Sequence, residues 1–544
     1  MKNYIVILLL LSIATLFYLK ANDFITIGSD DANIYFTYAK NITETSDITY
    51  NQGGERVEGY TSTLWLFIIT ILYNLTTDFE ILLIILNLLI VSLAVFYSIG
   101  AINKLLHQNN FFNHSSIFLL LFLIFYPGFI EWNIISLLET GLWTTLFTIT
   151  FINIIINKSE KLNFLLIPLL VITRPESTLW ILILISLIFI RTFYQNRNIT
   201  LAFKKSTPYL LIFIISYALL TYFRYEYFGY FQANTYYAKV STDKIHNLMQ
   251  GIKYDIRFLI SNLFQILIIG LIIKNIPKII DYKNLNLSYL IPVIIIFTAY
   301  FIPLVTSGDH FNLFRFFQPY LIFFFIFFIK STEVQNFLSK FQSYISNKKI
   351  LIISIVPIVY SLLNIGNFYQ LNALFQNSTS PIFQEMNIAK DERNSGEKLN
   401  LMFNKSKPSI GVLTAGGIAY KYEGDIIDLL GLNNAQMAHA NKLKYGVRGH
   451  ASFDKNTFFE LKPDIFFGWF VQDTSNVKAI HKTDNFKEHF FNKVFKNLYF
   501  DEQFKNDYLP ILIIDKKNNL NYNAYIYKNS IQILKNNNLT YVLL

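Results

Sequence analysis

The 544 residues are 53% hydrophobic and only 15% charged, where an average soluble domain carries about a quarter charged residues, and mean hydropathy is +0.37. With 53 Phe and 35 Tyr, such a chain is not disordered, not a nucleic-acid-binding domain and not an ordinary soluble enzyme; a net charge of +10 suits Lys and Arg in the cytoplasmic loops of a polytopic membrane protein. There is no Cys, which excludes a disulfide framework, a thiol nucleophile and Cys-ligated zinc.

The first apolar run, residues 4–19, follows Lys2. Phe17, Tyr18, Leu19 and Lys20 stand where a signal peptidase would need small residues, so the run reads as an uncleaved helix. Further runs predict spans at about 79–103, 116–133, 141–157, 164–173, 177–192, 208–223, 257–273, 288–305, 316–330 and 350–366. Residues 62–75 decide the parity of every later loop. If they do not cross, a set of cations from Lys104 to Lys349 falls in cytoplasmic loops; if they cross, the same set lies outside. They are therefore expected to be a re-entrant or interfacial helix. The expectation is a polytopic α-helical membrane protein of about eleven spans, with the N-terminus in the cytoplasm, multi-pass in a bacterial inner membrane.

After about residue 367 the long apolar runs stop and charges become frequent. Strand-like stretches at 409–413, 463–470 and 508–515 predict a small α/β domain. The division is thus a transmembrane domain over 1–366, with a first external loop at 20–78, and a periplasmic or extracellular α/β domain over 367–544.

On this topology the informative polar residues face outside in five clusters. The first loop carries Asp30 and Asp31, then Glu55, Arg56 and Glu58 among glycines. Its carboxylate pair is either a site, a solvated loop pair, or part of a helix N-cap in which Ser29 and Asp30 cap ANIYFTYAKN. EWNIISLLET (131–140) brings Glu139, and TRPES (173–177) brings Arg174 and Glu176. Those two form either a site at membrane depth or a mutual ion pair at Pro175. FRYEYFGYFQANTYYAK (223–239) carries Arg224, Tyr236, Tyr237 and Lys239, and TSGDHFNLFRFFQP (306–319) carries Asp309, His310 and Arg315. Early carboxylates and late cations on one face suit a substrate with a hydroxyl at one end and a phosphate at the other. There is no P-loop, HExxH, GxSxG or GxGxxG. His439 and His450 read as ordinary histidines, and LTAGGIAY (413–420) as a weak phosphate signal.

These motifs resemble those of the GT-C superfamily of membrane glycosyltransferases, and more closely the AftB-type terminal arabinofuranosyltransferases. The residues that carry the resemblance are SDDANIYFTYAKN (29–41), YNQGGERVEGYTSTLW (50–65), SLLETGL (136–142), TRPE (173–176), NTYYAK (234–239), SGDHFNLFRFFQP (307–319) and LTAGGIAYKYEGDIIDLLGLNN (413–434). Leu137, Gly141 and Ala233 depart from the family's usual Gly, Pro and Pro. The resemblance implies a GT-C fold and a hexosyl- or pentosyltransferase. Its donor would be a polyprenyl-phosphate-linked sugar, such as arabinofuranose, entering from the lipid bilayer. Its acceptor would be a cell-envelope glycan or glycoconjugate, and no nucleic acid is involved. Asp30 is implied as the base, with Asp31 beside it orienting the acceptor or a metal. Arg174, Arg224, Lys239, His310 and Arg315 are the candidates for the donor phosphate. Glu55, Arg56, Glu58, Glu139, Tyr236, Tyr237 and Asp309 are those for sugar or acceptor. No cofactor is certain; a divalent cation, Mg or Mn on Asp30 and Asp31, stays open. The other readings are transfer to lipid A, O-antigen or pilin, and a non-enzymatic lipid-linked sugar flippase or transporter.

Overall fold

A computed structural model describes residues 1–156, 160–279, 286–337, 381–474, 477–483 and 486–544. The helical part runs α1 (Lys2–Ala21), α2 (Asp30–Thr45), α3 (Thr63–Leu75), α4 (Phe79–Leu105), α5 (His114–Phe125), α6 (Thr140–Ile155), α7 (Glu160–Val171), α8 (Ser177–Asn196), α9 (Ile199–Phe228), α10 (Asn234–Lys239), α11 (Lys244–Ser261), α12 (Leu263–Ile279), α13 (Leu287–Thr306) and α14 (Leu321–Lys330). Among the described residues, α1, α4, α8, α9 and α13 are long and apolar enough to cross a membrane, and a sixth crossing arises if the bent pair α11–α12 counts as one. They expose Leu9, Phe17, Ile85, Ile214 and Leu219 outward, as lipid-facing helices do.

Five or six such crossings are found among the described residues, where eleven are expected over the whole chain. The difference lies in helix breaks. The 116–133 run stops at Phe125, before Pro127 and Gly128, and a π-helical turn at Glu131–Ile135 follows. The 316–330 run divides into a 3-10 turn, Arg315–Tyr320, and the ten-residue α14. The 257–273 run breaks at Asn262, where α11 and α12 meet at 99°. Helix α6, in the 141–157 run, is 16 residues long and buried almost all round, so it is the centre of the bundle. The 350–366 run and the proposed boundary near residue 367 lie outside the described residues. Helix α3 matches the 62–75 run; Ser62 caps it by accepting the Trp65 N–H.

The bundle has two chemically distinct ends. At one, Lys104 donates to the Ile156 carbonyl (2.6 Å), Lys330 to that of Leu105 (3.3 Å), and Lys274 pairs with Glu333 (3.6 Å). At the other end α1 exits and α2 begins. Asp31 there approaches Lys239 and Arg315. Lys104, Lys274 and Lys330, three of the cations that set the expected topology, thus lie away from the paired acids.

The C-terminal part opens with α15 (Pro381–Met402) and forms a six-stranded sheet. Its strands are β1 (Ile410–Val412), β2 (Ile426–Asp428), β3 (Ile465–Phe470), β4 (Tyr508–Asp515), β5 (Leu520–Tyr527) and β6 (Thr540–Leu543), in the order β2-β1-β3-β5-β4-β6. β1 runs parallel to β2 and β3; β5, β4 and β6 complete an antiparallel half. β1, β3 and β4 are the three predicted strands.

This sheet is seated on the first loop. Asn51 pairs with Ile426 like a strand residue, its side-chain amide donating to the carbonyl (2.9 Å) and its Oδ1 accepting the N–H (3.0 Å). Tyr50 Oη donates to the Ala415 carbonyl (2.6 Å), and Asn234 Nδ2 to those of Gly431 (2.7 Å) and Leu432 (2.9 Å). Arg393 on α15 reaches Asn33 (2.6 Å) and Glu80 (2.9 Å). Hydrogen bonds this numerous across a buried seam hold one relative placement, because each broken one strands a polar group.

Candidate active site

The acids enter the site through a tight turn. Gly28 has φ +72°, and a Cβ there would press on the Ser136 carbonyl and Leu137 at 2.9 Å. Ser29 then donates its N–H to the Ser136 carbonyl (3.1 Å) and becomes the N-cap of α2, without a side-chain cap. The cap alternative, given for Ser29 and Asp30, holds by position for Ser29 but not for Asp30, which is the first residue of α2 and turns its carboxylate away to the sheet domain. One oxygen accepts the Gly416 N–H (3.1 Å) and the other the Gly417 N–H (2.8 Å). These amides open a short helix, α16 (Gly417–Lys421), after β1. Only glycine fits here, because a Cβ on Gly416 would collide with the Asp30 carbonyl, and one on Gly417 with that of Ala389. Burial raises the Asp30 carboxyl to about 6; the Gly417 N–H offsets part of the rise and Asp31 adds to it.

Asp31 is more open. Its Oδ2 lies 3.9 Å from Lys239 Nζ and 4.0 Å from Arg315 NH1, outside hydrogen-bonding distance. Arg315 is oriented by Asp309, which takes its Nε (2.9 Å) and NH2 (2.8 Å), and the guanidinium lies 4.6 Å from the Phe311 ring. Burial pushes Asp309 up, but Arg315 and His310 outweigh it and hold the carboxyl well below the usual range. His310 packs on His450 at 4.9 Å between ring centroids, and burial with His310 lowers His450 to about 4.

Asp30, Asp31, Lys239 and His310 line a cavity of about 700 Å³ between the two parts of the chain. Its floor also carries Glu385 and Glu392 of α15, and Asp428 of β2. Burial raises Glu385 and Glu392 to about 7, with the charges of Asp31 and Asp30 respectively adding to the rise. Glu392 accepts a hydrogen bond from Thr414 (2.9 Å). An apolar wall faces these acids, formed by Phe467, Trp469, Phe490 and Phe491 of the sheet domain. β3 slips register between Phe466 and Trp469, with Phe467 at φ +39°, and this bulge directs the aromatic rings into the cavity.

Several expected site residues are committed elsewhere. Arg224 is held bidentately by Glu58 (2.8 and 2.9 Å), and both are buried. Neither lines the cavity. Arg174 is shared between Glu139 (2.6 Å) and Glu176 (2.5 Å), so the ion-pair alternative holds and extends to a third residue. Glu139 also accepts from Tyr35 (3.2 Å). Glu55 accepts the Ala435 N–H (3.0 Å) and so fastens the sheet domain. Arg56 is a surface group, 3.7 Å from Asp47 and 4.6 Å from the Tyr227 ring. Tyr236 is exposed, and Tyr237 packs on His439 at 4.3 Å. Arg174, Arg224, Glu58 and Glu139 thus stand in buried ion pairs, and Glu55, Arg56, Tyr236 and Tyr237 at surface or seam positions; none of the eight lines the cavity. Asp309 is paired with Arg315.

The Arg224–Glu58 pair gives a stability prediction. Arg224→Ala leaves Glu58 buried without its partner and should cost about 3–5 kcal/mol, whereas Arg224→Met with Glu58→Leu should cost far less. Thermal unfolding in detergent measures both, and an unchanged midpoint in the single variant contradicts the pairing.

Sequence reading missed Glu385, Glu392, Asp428, Thr414 and Trp469. The one signal was the Gly416–Gly417 pair, and the anion it holds is the chain's own carboxylate.

The two acids suit a divalent cation poorly. Two cations, Lys239 and Arg315, flank Asp31. No group of three or more His, Asp or Glu arranged to hold a metal occurs among the described residues.

No family model matches the chain, and no curated protein matches it. Among solved structures it is similar to ArnT from Cupriavidus metallidurans bound to undecaprenyl phosphate, with 10% identity and a TM-score of 0.48 over 77% of this chain and 85% of that one.

Proposed function

We propose that this chain is a GT-C-type membrane glycosyltransferase. It moves a sugar, for which arabinofuranose is the first candidate, from a polyprenyl phosphate to a hydroxyl of a cell-envelope glycan on the outer face of the inner membrane. The observation that carries the reading is the 700 Å³ cavity at the end of the apolar helices, lined by Asp30 with its carboxyl raised to about 6, by Lys239, which only loosely approaches Asp31, and by aromatic rings.

The chemistry follows from the leaving group. A polyprenyl phosphate departs as an anion and needs cations rather than a general acid. Lys239 and Arg315 NH1 are not hydrogen-bonded to Asp31 and can turn to the phosphate. The acceptor hydroxyl needs a base whose pKa lies near the working pH. Asp30, raised to about 6, fits that need, and each of its oxygens keeps a lone pair beyond its N–H contact. With Asp30 acting as the base on the acceptor hydroxyl, the reaction is a single displacement with inversion. The faces of Trp469 and Phe467 suit the apolar face of an acceptor sugar, and Glu385 and Glu392 its hydroxyls. No step is routed through a metal.

Labelled polyprenyl-phosphate sugar tests the reading with detergent-solubilised protein. An enzyme consumes the donor without a sealed membrane; a flippase moves lipid only between two leaflets, and that result would replace this proposal.

The acid limb of the rate profile is a second check. A base must be ionised, so kcat/KM should rise with pH through about 6 and level off above it. Because Glu392 and Glu385 titrate near 7 beside it, the observed midpoint belongs to the group of carboxyls. A flat profile between pH 5 and 8 (a range chosen roughly around these values) counts against Asp30 as base.

A further inference from the structure

A second, smaller cavity of about 30 Å³ adjoins the first, and Lys239 and Gly449 line both. Its other charged or ionisable lining groups are His246 of α11, Lys444 and Arg448; no carboxylate lines it. Lys444 is almost fully buried, and its ammonium reaches only neutral oxygens, the Ala438 carbonyl (2.7 Å) and Ser452 Oγ (2.9 Å). Arg448 donates one NH2 to the Ser307 carbonyl (2.9 Å), and its buried Nε has no hydrogen-bond partner. Arg448 is only half-buried and feels the charges of Asp309 and Asp255, but Lys444 is a buried cation bonded to neutral oxygens; that is costly, and an anion at that spot relieves the cost. The volume admits one small anionic group, not a sugar.

We propose that this pocket receives the phosphate monoester released by the reaction, the head of the polyprenyl-phosphate product. The inference rests on the transferase reading. In the transfer, the acceptor oxygen bonds to the sugar's anomeric carbon while the bond from that carbon to the phosphate oxygen breaks. The hydroxyl proton goes to Asp30, and the phosphate leaves with the bonding pair. The donor phosphate is a diester with one negative charge. The product is a monoester that carries about −1.5 to −2 at pH 7. The reaction cavity holds Asp30, Asp31, Glu385, Glu392 and Asp428 and repels the added charge, whereas the acid-free pocket attracts it. Lys239 stands between the two and serves either position. A lipid source is favoured over free phosphate because Ile245, Leu248 and Met249 stand exposed on α11 beside His246, where a prenyl chain can lie.

The test uses the full chain in detergent and measures thermal stabilisation by three probes: polyprenyl phosphate, a polyprenyl methyl phosphodiester and inorganic phosphate. The expected result is tighter binding of the monoester than of the diester. Arg448→Gln should weaken the monoester at least tenfold and the diester less than threefold; His246→Gln should act in the same direction if Arg448→Gln fails to fold. In turnover assays the same variant should raise the inhibition constant for added polyprenyl phosphate by a similar factor. Equal loss of both lipids, or no loss of either, overturns the proposal. Inorganic phosphate binding as tightly as the lipid overturns the lipid source. Transfer with Arg448-independent monoester binding refutes the pocket and leaves the enzyme standing; Arg448-dependent binding without transfer does the reverse.

Discussion

Asp30→Asn is expected to leave a folded, membrane-inserted protein that transfers sugar about 10²–10⁴ times more slowly, the usual contribution of a positioned general base. The loss is chemical, because the two side chains have the same shape; the Asn oxygen still accepts one of the two glycine N–H groups, while the other then faces the Asn Nδ2, itself a donor. Stability should move the other way. Asp30 is raised from 3.8 to about 6 on folding. A carboxyl raised on folding favours the native state while protonated, and that advantage is lost as pH climbs through the interval. At neutral pH the ionised group therefore opposes folding by about 3 kcal/mol at 1.36 kcal/mol per pKa unit. The Asn side chain carries no such charge, and that gain outweighs or matches the cost of about 1–3 kcal/mol for the one N–H left without an acceptor, so the variant should unfold no earlier than the parent at pH 7 and show a flatter dependence between pH 4 and 6 (roughly the limits of that interval). Wild-type turnover by the variant would falsify the assignment of Asp30.

Gly416→Ala is the second large effect expected, and it acts from the far side of the seam. The added Cβ would overlap the Asp30 carbonyl, so either the first turn of α2 or the β1–α16 turn must shift. A shift separates the carboxylate from its two N–H donors. Transfer should fall about a hundredfold or more, since an ångström of misplacement in an active site costs that much. The acid limb discriminates between causes. With the cavity still closed, loss of the amides removes what holds Asp30 down, and the limb moves above 6. With the sheet domain lifted off, burial is lost and the limb falls toward the ordinary carboxylate value. A variant with reduced turnover and an unmoved limb shows that the amides do not govern Asp30.

Local features of this molecule were legible, and pairings distant in sequence were not. The strands at 409–413, 463–470 and 508–515 announce themselves as apolar runs, whereas β5, LNYNAYIY, hides behind Asn521 and Asn523 although most of it is buried. Helix α3 is legible by its length and by Ser62. The bend at Asn262 is not, because an Asn between apolar runs marks neither a proline kink nor a turn. Asp30 and Asp31 stand out as acids in an apolar chain. That one of them is gripped from the sheet domain while the other meets Lys239 is a long-range fact. Arg224 reads as a cation awaiting phosphate until the fold brings Glu58, 166 residues away, to its side.

The amides that grip Asp30 are translated 386 and 387 residues after it. A nascent chain that has already threaded its helices into the bilayer thus holds its acids in an unfinished centre. Synthesis order therefore decides when the centre is complete: a chain cut short before the Gly416–Gly417 turn would leave Asp30 without the two N–H groups that its oxygens accept.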